Sequence, residues 1–213
     1  MCFSAQSSFA AATVLTGVGF VSLRQVRHYP KYYMLASVPL IFALQQAAEG
    51  VVWLTLNNPQ YTWLHQCAGL LFIIIAQVLW PIWNPIGLLM FETHAYRKKI
   101  LGVFSILGIL VGSYSAYILA TTPLTILETC NSLYYDFLHT PLALQDIYLF
   151  LYTIPTVMSL FVTQLKLGWF LGVALIAALF ASWFFKAAAL GSVWCFCAAI
   201  LSIFIIVALR KEL

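Results

Sequence analysis

Seven long apolar runs occupy most of this chain, at about residues 5–23, 34–56, 62–90, 100–120, 147–163, 167–185 and 188–209. Each is close to the ~20 residues that an α-helix needs to cross the hydrocarbon of a bilayer. Within a bilayer the backbone must satisfy its own hydrogen bonds, so runs of this length and spacing predict helices and little else. Composition agrees, with 63% of residues hydrophobic and 8% charged. A chain so poor in charge cannot cover itself with polar surface in water. The expected fold is an all-α integral membrane protein, a single domain of seven transmembrane helices over residues 1–213.

The start, "MCFSAQSSFAAATVLTGVGF", lacks a basic leader and a clear small-residue cleavage site, so it reads as the first span. The third run is long, and "WPIWNPIG" places Pro81 and Pro85 inside it. Proline removes a backbone donor, which predicts a kink or break at Trp80.

Charge placement orients the bundle. Arg24, Arg27 and Lys31 lie between runs one and two; Arg97, Lys98 and Lys99 between three and four; Lys166 between five and six; Arg210 and Lys211 after seven. If every run crosses, nine of the ten basic residues share one side, which the positive-inside rule makes cytoplasmic. The N-terminus is then outside and the C-terminus inside. That distribution accounts for the net charge of +4 without a nucleic-acid partner; the expected partner is the lipid bilayer.

One carboxylate interrupts an apolar run. In "FALQQAAEGVVWLTL", Gln46, Glu49 and Trp53 recur at i, i+3 and i+7, on one helical stripe. A carboxylate facing lipid is costly, so Glu49 is expected to face the bundle interior or water. It lies about 10 Å below the outer end of its helix. Trp194 and Cys195 fall at nearly the same depth, with Tyr148 and Tyr152 in the outer half of run five. The expectation is an outward-opening polar pocket centred on Glu49, shared with runs one, six and seven and lined by Gln46, Trp53, Tyr148, Tyr152, Trp194 and Cys195. Gly191, Cys195 and Ser202 make a stripe small enough for close helix approach. Cys195 and Cys197 differ by about 200° around the helix and cannot both serve one site.

Three residues are candidates for chemistry in such a pocket. Glu49 could accept a proton or ligate a cation, Lys186 could supply a counter-charge, and Cys2 could act as a thiol ligand or nucleophile at the mouth. Cys2, His65 and His139 are the metal candidates, but no HxxxH, HExxH or CxxC places two ligands on one face. No motif names a cofactor. A retinal protein would need a lysine within run seven, and residues 188–209 contain none. Three function classes stay open: a membrane enzyme or binding protein for a small or lipid-like molecule, a proton-coupled carrier using Glu49, and a non-catalytic assembly partner.

"MCFSAQSSF", "QQAAEGVVW", "VLWPIW" and "GSVWCFCAAILS" resemble the signature blocks of an uncharacterised family of bacterial multipass proteins that open Met-Cys-Phe-Ser-Ala. The resemblance implies a multi-pass protein of the bacterial inner membrane and carries no activity. It also implies a histidine-containing segment in the long loop, where this chain has "NSLYYDFLHT" with His139.

Overall fold

The computed structural model describes residues 4–129, 132–137, 142–186 and 190–212. Among them the chain forms seven helical runs and one β-hairpin: α1 Ala5–Gln25, α2 Pro30–Thr55, α3 Pro59–Phe91, α4 Ala95–Thr121, β1 Thr125–Thr129, β2 Ser132–Asp136, α5 Leu144–Val162, α6 Gly168–Lys186 and α7 Gly191–Glu212. Six of the helices are long and apolar enough to cross a membrane; the apolar part of α6, Gly168–Phe184, is shorter. Their outer faces are apolar. On α4, Val103, Ile106 and Leu110 form one stripe, each 63% exposed. A continuous apolar surface of this kind matches hydrocarbon.

Helix α1 begins with a capping box, in which the Ser7 backbone N–H donates to Ser4 Oγ and the Ser4 N–H to Ser7 Oγ. The serines of "FSAQSS" therefore satisfy donors that a helix start leaves open. From there Ser8, Ala12, Leu15, Gly19 and Ser22 turn inward. This stripe lets α1 and α2 approach closely: a Cβ on Gly19 would lie 2.4 Å from Leu40, and one on Gly50 would lie 2.8 Å from the Phe9 ring.

The helix ends sort into two groups. At one end, Gln25 Nε2 donates to the Ile206 carbonyl, Tyr32 packs on Phe91, and the Lys166 N–H donates to Glu212. All nine basic residues of the uneven distribution lie in or beside these connections, so this is the basic end. At the other end the loop after α4 folds as an antiparallel hairpin, with Ile126 opposite Tyr135 and Glu128 opposite Leu133. The hairpin departs from the all-helical expectation. Leu133, Tyr135 and Phe137 alternate inward and pack against Phe72, Val52 and Cys195.

Helix α3 is not broken at Trp80. It widens into a π-helical turn over Ile74–Leu79, and α-helical geometry resumes at Trp80. A second π turn, Ile154–Met158, sits opposite in α5 around Pro155. The widened turns exchange hydrogen bonds. Tyr152 Oη donates to the Ala76 carbonyl at 2.6 Å, and Asn84 Nδ2 donates to the Thr156 carbonyl at 3.1 Å. Each turn thus presents a backbone acceptor to the neighbouring helix, so partner side chains hold the proline-disturbed segments in place.

Candidate functional site: a buried polar layer around Glu49

Glu49 is 1% exposed and Gln46 0%. The Glu49 carboxylate accepts hydrogen bonds from Ser192 Oγ of α7 and, at 3.2 Å, from Gln46 Nε2. One bond is local and the other joins α2 to α7. Position 191 does not make this contact. A Cβ on Gly191 would meet nothing within 4 Å, and the buried face of α7 runs through Ser192, Cys195, Ala199 and Ser202. Cys195 and Ser202 of the expected small-residue stripe thus lie on the buried face, and only its first member differs, with Ser192 in place of Gly191. Ser192 was within reach of sequence reasoning, since it lies three residues before Cys195 on the same face. Cys195 is buried and Cys197 half-buried, as their angular separation requires.

The layer continues sideways. Trp80 Nε1 donates to Gln45 Oε1 at 3.1 Å, and the Gln45 amide faces the Cys195 thiol. Phe42 stacks on Trp80 with ring centroids 4.2 Å apart. Tyr135 of β2 approaches from the hairpin end, stacked on Phe72 at 4.6 Å and within electrostatic reach of Glu49 and Cys195. Burial, reinforced by those two neighbours, holds its phenol well above the ordinary tyrosine range. The hydroxyl therefore keeps its proton. In and around this layer Gln45 Nε2, Gln46 Oε1, Tyr135 Oη and Trp53 Nε1 are buried with no hydrogen-bond partner among the described residues. Buried groups of this kind usually find a partner, in protein, ordered water or a bound ion.

The other expected pocket residues divide. Tyr148 Oη donates to Gln77 Oε1 and contacts Ser115 Oγ, both at 2.8 Å. Tyr152 packs edge-on to Trp194, whose Nε1 donates to the Leu175 carbonyl at 3.0 Å. Tyr152, Trp194 and Cys195 line a cavity of about 80 Å³, together with Phe42, Trp80, Trp83, Asn84, Leu175 and other apolar side chains of α2, α3, α5, α6 and α7. Glu49, Gln46, Trp53 and Tyr148 are not on its wall. The cavity extends from the polar layer toward the basic end, whereas the hairpin covers the side on which an outward opening was expected. A loop read as a connection supplies that cover.

His65 Nδ1 lies 3.0 Å from Thr55 Oγ1. Cys2 and His139 fall outside the described residues, as does the side chain of Lys186. Among the described residues no three His, Cys, Asp or Glu side chains come together as a metal site.

Sequence reading passed over a second buried carboxylate. Glu92 is 1% exposed at the basic end. Its Oε1 accepts the N–H groups of Thr93 (3.1 Å) and His94 (3.0 Å), and its Oε2 accepts that of Gln164 (2.8 Å). It follows an apolar run and carries no helical-phase signal; the loop from α5 to α6, folding over it, buries it.

Apolar helices of membrane length, apolar outer faces and a polar layer enclosed by the bundle define a multipass helical membrane protein. The whole chain, residues 1–213, matches the family described as a family of unknown function, DUF6629, and the protein belongs to that family. No curated protein and no solved structure matches it.

Proposed function

We propose that this protein crosses the bacterial inner membrane seven times, hairpin end outside and basic end cytoplasmic, and binds a small apolar or lipid-like molecule between its helices. The cavity carries this reading. Its wall is mostly aliphatic and aromatic, with Asn84, Tyr152, Thr156 and Ser202 among the few polar side chains, the balance expected of a small-molecule site. Cys195 and Trp80 join it to the polar layer, so a ligand seated in it has its polar end beside Gln45 and the Glu49 cluster. Glu49 stands behind that wall, within electrostatic reach of Cys195, and sets the polarity of the layer that the ligand's polar end meets, which suits a binding protein or a membrane enzyme.

Tryptophan fluorescence tests the binding. Trp80, Trp83 and Trp194 line the cavity, so a version keeping only these three reports on it. A brominated fatty acid should quench its emission along a saturable curve. Ala198→Phe, which fills the cavity from α7, should leave only the linear component of quenching by bulk lipid. Linear quenching in both proteins would remove the binding reading.

Orientation has its own test. In a version without the five native cysteines, Asn58→Cys and His28→Cys place single thiols at exposed positions of opposite ends. An impermeant maleimide added to intact cells should label position 58 and spare position 28. The reverse pattern would invert the topology.

A further inference from the structure

We propose that Glu49, Gln46, Ser192 and Tyr135 form a binding site for one small alkali cation, with sodium as the probe. The argument rests on charge and on oxygen. A carboxylate buried in a low-dielectric bundle is neutralised either by a proton or by about one unit of positive charge placed beside it, so a cation competes with a proton for this site. The two partners the structure gives it, Gln46 and Ser192, are neutral and leave the charge in place. A single monovalent ion would neutralise it, whereas a divalent ion would leave a net charge buried.

The donor set is hard. It offers a carboxylate, the Gln46 amide oxygen, the Ser192 hydroxyl and the Tyr135 hydroxyl; oxygens of these types suit alkali and alkaline-earth ions more than zinc or copper. They come from α2, α7 and β2, and all four residues are buried. Two of these oxygens, Gln46 Oε1 and Tyr135 Oη, have no hydrogen-bond partner among the described residues. Gln46 now turns Nε2 to the carboxylate at 3.2 Å. Half a turn about its terminal torsion, a soft degree of freedom, exchanges that nitrogen for the free oxygen. The Ser192 hydroxyl can donate to Glu49 and still offer a lone pair. The Tyr135 hydroxyl, on the hairpin and within electrostatic reach of Glu49, is the fourth oxygen assigned to the ion.

This inference does not depend on the cavity, and its test is separate. The protein in lipid nanodiscs would be melted in sodium chloride or choline chloride at fixed pH and ionic strength. A ligand that binds only the folded state raises the midpoint with concentration. In wild type the midpoint should climb with each tenfold rise in sodium and stay flat in choline. Glu49→Gln should abolish the rise. Tyr135→Phe, which removes one oxygen, should displace the response to roughly tenfold higher sodium. Equal midpoints in sodium and choline for wild type, or an undiminished sodium response in Glu49→Gln, would overturn the site. If Glu49→Gln does not fold, equilibrium dialysis of wild type with radioactive sodium decides: saturable uptake near one ion per chain supports the site, and none overturns it.

Discussion

Gly108→Val is expected to unfold this protein at a temperature many degrees below wild type, while Gly102→Val on the same helix should melt close to it. A Cβ at Gly108 would sit 1.9 Å from the carbonyl oxygen of Pro81, 2.8 Å from its carbonyl carbon and 3.3 Å from Pro155. The obstacle is backbone, not the end of a flexible side chain. It cannot move easily, because Pro81 lies in the first turn of the helical segment that resumes at Trp80 and Pro85 is one turn further on. Pro85 has no N–H, so the Pro81 carbonyl lacks its usual helical donor, and Gly108 packs its bare backbone against it. Adding a side chain must push α3 and α4 apart. Gly112, one turn on, would separate with it, since its own Cβ would lie 2.8 Å from the Val78 carbonyl. Overpacking in a core costs about 1–3 kcal/mol where side chains can adjust. A backbone clash between two helices should exceed that range. At Gly102 a Cβ meets nothing within 4 Å, so only helix propensity changes. Thermal unfolding in detergent compares the two; midpoints within a few degrees of each other would mean that α3 and α4 do not meet through this glycine.

The second large effect lies at the other buried acid. Glu92→Ala should lower stability by about 2–4 kcal/mol, as the sum of three lost hydrogen bonds to a charged acceptor discounted for the partial exposure of their donors. The carboxylate receives N–H groups from Thr93, His94 and Gln164, so one side chain closes the turn before α4 and ties it to the loop before α6. Gln164 returns two contacts, accepting from Thr93 Oγ1 at 2.9 Å and donating to the Phe91 carbonyl at 2.8 Å. Truncation would leave three N–H donors that water can re-satisfy only in part, Thr93 and His94 being exposed and Gln164 half-buried. Glu92→Gln should recover part of the loss, since one amide oxygen still accepts while the NH₂ group faces other donors. A Glu92→Ala protein that melts like wild type would show that these loops are held by other contacts.

The contrast between the two acids shows how far the sequence could be read. Glu49 stands alone in an apolar run, and helical phase with the cost of lipid exposure was enough to predict that it turns inward. Glu92 sits at a run's end, where the same reasoning gives no signal. Its burial is made by Gln164, 72 residues away. The hairpin is intermediate. "SLYYDF" carries the inward alternation of Leu133, Tyr135 and Phe137, but a period of two over six residues is easily lost in a loop.

The sequence by itself determined the helices, their approximate ends, the gathering of positive charge at one end of the bundle and the inward face of Glu49. These follow from apolar length, charge position and helical phase, which are local properties of the chain. Tertiary structure alone decided that Ser192 and not Gly191 meets the carboxylate, and that a π turn absorbs the prolines instead of a break. It also decided that the hairpin covers the polar layer while the cavity lies toward the opposite end. Each of these depends on which surfaces distant segments present to one another. A carbonyl freed by proline, a small residue or an orphaned hydroxyl has a defined role only once the partner helix is in place.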